Sequence, residues 1–210
     1  MSRSVVILAG GANRRMGAEK WLLPVGGTPV LGRLVRALDG IADDVAVVLP
    51  WGASEALRAK AEAAAGGGLR SGVRWVADEE PDAGPLAGIE AAFAGAAGER
   101  CAVVAADMPF PRRELLEALF EVCRDAGAEA AIPERGGRLH PLFAVYRTDT
   151  LEKLRSYRRR GGRKVMEWLG GLNAVVLAEA ETAAFDPDGT ALFNMNTPDD
   201  YDRAKSLVDD

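Results

Sequence analysis

The stretch VVILAGGANRRMGAEK, Val5–Lys20, sets Gly10 and Gly11 directly behind an apolar run and follows them with Arg15, Gly17 and Lys20. Adjacent glycines let successive backbone N–H groups turn toward one point with no Cβ in the way. Arg15 and Lys20 add charge-assisted donors. That is the chemistry of gripping a phosphorylated ligand. The spacing is not that of a Walker A loop, because no lysine directly follows the second glycine. Nor is it the dinucleotide G-x-G-x-x-G, because Gly10 and Gly11 are adjacent and Gly17 comes too late. A mobile loop with solvated arginines is the bland alternative, and it leaves this concentration of glycine and charge unexplained.

Other segments carry complementary chemistry. Asp107, in VVAADMPF, ends an apolar run. A carboxylate there suits Mg2+ carrying substrate phosphates, an ion bound through one or two carboxylates with phosphate and water; a turn cap is the rival reading. In ADEEPDAGPLAGIEAA, Asp78 follows a strand and Gly84-Pro85 opens a helix. Glycine lets a flat ligand or a phosphate approach the helix N-terminus, and Asp78 can accept the N–H donors of a guanine edge. The rival is an acidic surface loop with a cap. The basic run Arg158–Lys164, which includes Arg163, either grips a second phosphorylated substrate or is a solvated helix end. Asn194 and Asn196 alternate along an extended segment and so face one side, unless they merely cap the next helix. His140 precedes a proline in an apolar segment and reads as structural, leaving no histidine-based nucleophile system. Together these residues imply direct attack of a substrate phosphate or alcohol on the α-phosphorus of a nucleotide. The protein would contribute positioning and charge neutralisation.

These side chains need a scaffold. Ser4–Leu8, Val45–Leu49, Val73–Ala77 and Cys101–Ala106 read as strands. Between and after them lie helical patterns: one from near Pro29 to before Gly40, Ser54–Ala65 with Ser54 as N-cap, Leu86–Ala97, and Pro111–Ala126 with proline at its start. The strand runs are apolar end to end, as in a mostly parallel sheet covered on both faces. The expected fold is therefore α/β, a three-layer α/β/α sandwich. Leu139–Tyr146 reads as a strand with an early proline, hence edge-like or bulged. Leu151–Arg160 and Lys164–Leu169 read as helices, Ala174–Leu177 as a strand and Pro198–Val208 as a last helix. With no repeat and no long linker, residues 1–210 are expected to form one domain. Ligands of such sheets lie beyond the carboxyl ends of the strands. That rule selects Gly10–Lys20, Pro50–Trp51, Asp78–Gly88 and Asp107–Pro109.

The net charge of −5 argues against a nucleic-acid binder. No apolar stretch approaches the length of a membrane span. The opening MSRSVVILAGG is too short an apolar run for a secretory signal, and Cys101 and Cys123 form no metal or redox motif. Buried thiols in the cytoplasm are the expectation.

LAGG-x-x-x-RMG-x-x-K at Leu8–Lys20 resembles the signature of nucleotidyltransferases that make sugar nucleotides and cofactors. With GPLAG at Gly84–Gly88, DMP at Asp107–Pro109, HPLFAVY at His140–Tyr146 and NMNTPDD at Asn194–Asp200, the chain resembles the molybdenum cofactor guanylyltransferase family, the MobA-type enzymes. The resemblance implies a Rossmann-like nucleotidyltransferase fold and Mg2+-dependent transfer of GMP from GTP to Mo-molybdopterin, with release of pyrophosphate. It implies molybdoenzyme apoproteins or their chaperones as recipients of the product. By the same resemblance Leu8, Ala9 and Gly10 hold the nucleotide by their backbone, Lys20 binds phosphate, Asp78 contacts GTP and Asp107 is the metal ligand, while the residues themselves add Gly11 and Arg15 to the phosphate grip and Gly84 to the ligand's approach. Asn194, Asn196 and Arg163 fall where molybdopterin is received. This chain departs from the pattern at Glu19, where aspartate is usual, and at Leu49-Pro50, where the family often carries a nucleotide-contacting asparagine. Gly10 favours GTP, since the related cytidylyltransferases typically carry alanine there. A CTP-dependent or sugar-phosphate enzyme of the same fold, and a non-catalytic nucleotide carrier, are the alternatives.

Overall fold

A computed structural model describes residues 2–10, 19–66, 72–78, 80–81 and 84–209. In chain order the strands are β1 (Arg3–Leu8), β2 (Pro24–Val25), β3 (Thr28–Pro29), β4 (Asp44–Leu49), β5 (Arg74–Ala77), β6 (Arg100–Ala105), β7 (Ala130–Arg135), β8 (Arg138–Leu139), β9 (Phe143–Arg147) and β10 (Ala174–Leu177). The helices are α1 (Val30–Leu38), α2 (Glu55–Ala65), α3 (Pro85–Ala94), α4 (Arg113–Asp125), α5 (Leu151–Arg159), α6 (Val165–Leu169), α7 (Glu179–Phe185) and α8 (Pro198–Asp209).

One sheet runs in the order β10-β7-β9-β6-β1-β4-β5. All its neighbours are parallel except β9, which lies antiparallel between β6 and β7. β1 lies inside the sheet, with Val5 registered against Val45 on one side and Ala102 on the other. Its alternate residues feed two cores. Val5 and Ile7 pack with α1, α2 and α4, while Val6 and Leu8 pack with α3, α5 and α6. A strand that alternates between two apolar layers must itself be apolar throughout, and this is why its sequence shows no polar face. The expected three-layer mostly parallel sandwich is what forms.

Ser54 caps α2, its hydroxyl accepting the Leu57 N–H at 3.2 Å, and Gly66 ends that helix with φ of 66°. Two expectations need correction. Pro111 does not open α4, whose N-cap is Arg112. The strand expected over Leu139–Tyr146 is neither single nor at an edge. The chain turns at Pro141 and Leu142, and β9 then enters the sheet interior with Phe143–Tyr146 buried. β7, α7 and the small β2–β3 hairpin had no counterpart in the sequence reading. β7 contains Pro133, and its pairing with β9 stops at Ala131, before the residue that lacks an N–H.

Candidate active site

The carboxyl ends of β1, β4, β5 and β6 open into one cleft of about 910 Å3. β1 is held on both sides at its exit: Ala9 N–H donates to Val48 C=O at 2.9 Å, and Leu8 C=O accepts from Ala106 N–H at 3.0 Å. The backbone of Leu8, Ala9 and Gly10 therefore enters the cleft in a fixed direction. Gly10 faces the floor of the cleft. A Cβ there would sit 3.7 Å from Pro50 Cα and 3.9 Å from Asp78 Oδ2, in ordinary contact. Its value is open space rather than relief of strain. Gly11 and Arg15, both expected to bind phosphate, lie outside the described residues.

Asp78 follows β5, and its N–H donates to Leu49 C=O at 3.0 Å, so β4 sets its position. Its Oδ1 accepts the Glu80 N–H at 3.3 Å, a local turn that leaves Asp78 on the cleft wall. Gly84 is the N-cap of α3 with φ of 74° and ψ of −176°, a conformation essentially restricted to glycine, and Pro85 starts the helix. At Gly88 a Cβ would lie 3.1 Å from Leu8 Cδ2 and 3.3 Å from Val48 Cγ1. The GPLAG motif is thus two requirements side by side: a tight helix entry and a close approach of α3 to the sheet.

Lys20 and Asp107 meet across the cleft. Lys20 sits on a short 3-10 turn anchored by the buried Trp21. Its Nζ is 4.0 Å from Asp107 Oδ2 and donates to Asn196 Oδ1 at 3.1 Å. Burial pushes the Asp107 carboxyl above the usual carboxylate range, and the Lys20 charge only partly opposes this. A carboxylate so placed gains from a cation. Among the described residues no cluster of three or more acids, histidines or cysteines forms a ready-made metal cage. A single strand-end carboxylate sharing an ion with substrate phosphates is the arrangement that suits Mg2+, which keeps water and phosphate in its shell.

The C-terminal segment lines the cleft beside Lys20 and Asp107. Met195 is fully buried, and its N–H donates to Asp107 C=O at 2.9 Å. Asn194 and Asn196 flank it and both reach the cleft, as the alternation predicted. The Asn194 Oδ1 is buried with no protein partner. Arg163 is not brought to this cleft. It lines an adjoining one of about 390 Å3 with Arg155, Arg158 and Arg159. Glu80 lines both and joins them, accepting from Arg158 at 2.8 Å. Arg158 also pairs with Glu90, so part of the basic run is internally neutralised.

Several cleft residues had no assigned role in the sequence reading. Trp51 stands at the mouth with 57% of its surface exposed. Arg138 and His140 reach the cleft from β8 and the turn after it. That turn is held by Tyr146, whose hydroxyl donates to Pro141 C=O at 2.8 Å and whose ring stacks on Trp168 at 5.0 Å. His140 is thus a cleft residue and not only a structural one. Burial is the main cause that lowers its pKa, which keeps the imidazole neutral at pH 7. The HPLFAVY motif gave the signal, but its placement depends on β9 returning beside β6.

Residues 5–175 match the MobA-like NTP transferase domain. The chain is 36% identical over 204 residues to a probable molybdenum cofactor guanylyltransferase of Pelotomaculum thermopropionicum, covering 97% of this chain and 92% of that one. It is 32% identical to the molybdenum cofactor guanylyltransferase of Mesorhizobium japonicum, over 97% and 94% of the two chains. Among solved structures it resembles molybdopterin-guanine dinucleotide biosynthesis protein A from Archaeoglobus fulgidus, with a TM-score of 0.79, 28% identity and 98% coverage of both chains. A cytidylyltransferase acting on 2-C-methyl-D-erythritol 4-phosphate, from Thermus thermophilus, shares the fold alone, with a TM-score of 0.70 at 22% identity. With a lysine facing a half-buried carboxylate in a cleft at the strand ends, and a domain match across most of its length, this chain belongs to the MobA-like NTP transferase family.

Proposed function

We propose that this protein is a molybdenum cofactor guanylyltransferase, transferring GMP from GTP to Mo-molybdopterin and releasing pyrophosphate. The observation that carries the reading is the convergence of Lys20 and Asp107, 4.0 Å apart, in the same cleft as Gly10, Asp78 and Gly84. The base lies against Gly10, Asp78 and the exposed ring of Trp51, in the part of the wall where this chain has Pro50 instead of a side-chain amide. The Asp78 carboxylate accepts the N1–H and N2–H2 donors that distinguish guanine. The triphosphate runs toward Lys20.

In the reaction a phosphate oxygen of the acceptor bonds to the α-phosphorus of GTP, and the bond from that phosphorus to the β-phosphate oxygen breaks. The electron pair leaves with pyrophosphate. An ionised phosphate is its own nucleophile, so no histidine base is required and the neutral His140 is no obstacle. Lys20 donates to the oxygens on which charge accumulates. Asp107 is the residue that would hold Mg2+, which when bound neutralises phosphate charge. Asn194, with its unpaired acceptor, and the basic cleft around Arg163 face the acceptor side, and Glu80 marks the passage between the clefts. The reading assigns the reaction to the cytoplasm, a reducing compartment that suits the unpaired thiols of Cys101 and Cys123. No helix among the described residues is long and apolar enough to cross a membrane. Molybdoenzyme apoproteins or their chaperones would take the product.

Titration calorimetry with GTP, CTP and ATP in Mg2+, followed by pyrophosphate release with Mo-molybdopterin, tests the reading. GTP is expected to bind best and to turn over only with the acceptor. Preference for CTP, or none, would reject it.

A further inference from the structure

The residue after the Asn-Thr-Pro run that attracts no role in the nucleotidyl reading is Asp200. Its Oδ2 accepts the N–H of Asn196 at 2.9 Å and that of Thr197 at 2.8 Å. Its own N–H donates to Thr197 Oγ1 at 3.2 Å. This is the reciprocal arrangement of a capping box, with aspartate in the acid's place, at the start of α8. A cap normally serves only the helix. Here the same carboxylate fixes the backbone of Asn196, whose side-chain oxygen holds the Lys20 ammonium at 3.1 Å.

The rest of the segment is pinned on both sides of Asn196. Met195 is buried, and its N–H is bonded to the backbone of Asp107. Thr197 is bonded to Asp200 and to the N–H of Tyr201. The Tyr201 hydroxyl donates to Pro24 C=O at 2.8 Å, tying α8 to the hairpin that follows Lys20. The turn carrying Lys20 is only three residues long, and a lysine side chain is a flexible stem with a strongly hydrated head. Something outside that turn must set its direction if it is to be ready before the ligand arrives.

We propose that Asp200 is a positioning residue for Lys20: it fixes Asn196, whose side-chain oxygen presets the ammonium toward the triphosphate before the nucleotide binds. The inference rests on the nucleotidyltransferase reading. It also gives Asn196 a different partner from the molybdopterin that the family resemblance suggested. Asn194, next to it on the same wall, keeps the acceptor-facing role.

The test is GTP affinity in Mg2+ with no acceptor present, measured by calorimetry in a double-mutant cycle. Asp200→Ala is expected to weaken GTP binding about tenfold, a part of what a charge-assisted hydrogen bond contributes. In the Lys20→Met background the same change is expected to cost less than about twofold, because the group it positions is gone. Equal losses in both backgrounds would reduce Asp200 to a helix cap and overturn the proposal. Asp200→Asn keeps an accepting oxygen and is expected to restore most of the affinity. If Asp200→Ala does not fold, Asn196→Ala carries the same cycle. An Asn196→Ala protein with unchanged GTP affinity and a raised KM for the acceptor would overturn the proposal. Wild-type protein that fails to bind GTP would overturn the functional reading and this inference together. GTP binding with an additive cycle would overturn this inference alone.

Discussion

Asp107→Asn should separate catalysis from stability, moving them in opposite directions. The substitution keeps the side-chain volume and removes the charge. In the folded protein burial pushes the Asp107 carboxyl above its ordinary range, more than Lys20 at 4.0 Å pulls it down. A carboxyl raised on folding binds its proton more tightly in the native state. The ionised form therefore costs stability, the cost growing as pH rises through the native pKa and vanishing below the unfolded one. At pH 7 the neutral amide avoids that cost. The opposing term is the lost attraction to Lys20, at most about 4 kcal/mol at an effective dielectric of ~20 and less for a side chain 27% exposed. The direction of the shift says burial wins. The Asn variant is expected to melt at the wild-type temperature or up to ~4 °C above it at pH 7, since about 1 kcal/mol moves a domain of this size by roughly that much. The difference should shrink toward pH 4. Turnover, by contrast, should fall at least about a thousandfold, the scale of losing an electrostatic anchor for the reacting phosphates. Thermal melts at the two pH values, with pyrophosphate release on the same samples, decide the matter. Turnover reduced by less than about tenfold would remove Asp107 from the metal role. A variant that melts several degrees lower at pH 7 would refute the burial argument.

Gly10→Ala should fold normally, because its Cβ meets Pro50 and Asp78 only at 3.7 Å and 3.9 Å. It should lower the ratio of GTP to CTP affinity by filling space beside Asp78, and an unchanged ratio in calorimetry would show that Gly10 does not read the base. Trp51→Ala should weaken GTP binding by about 1–3 kcal/mol, the worth of a base–aromatic stack, while Trp51→Phe keeps most of it. Equal affinities for all three proteins would place the base elsewhere. Gly84→Ala should destabilise the protein by about 1–3 kcal/mol, because φ of 74° with ψ of −176° is strained for any side chain. A melting temperature within a degree of wild type would contradict that assignment.

Lys20, Asp78 and Asp107 were legible in the sequence because each lies just beyond a strand, or a strand and its loop, in a sheet whose parallel strands all end on one side. Once four apolar runs were read as parallel, their carboxyl ends had to share a face, and any charged residue there had to share a cleft. The same logic fails where the chain reverses. β9 is antiparallel, so His140 at its beginning arrives at the face where the parallel strands end. Read as part of an ordinary strand, His140 looked structural. With the strand starting at Phe143, it belongs to the turn that walls the cleft. β7 was hidden by Pro133 and the charged Glu134 and Arg135, which break the apolar signature though Ala130–Ile132 are wholly buried. The basic run shows the opposite failure. Composition located the charge, but whether Arg158 is available depends on Glu80 and Glu90, from the β5–α3 loop and α3, far away in the chain. The Lys20–Asn196 contact spans 176 positions and follows from no local rule. Local pattern thus identifies which groups can do the chemistry. Which of them are free to do it, and which hold the others in place, is decided by pairings that only the folded chain makes, and this is why the test of Asp200 must be read through Lys20.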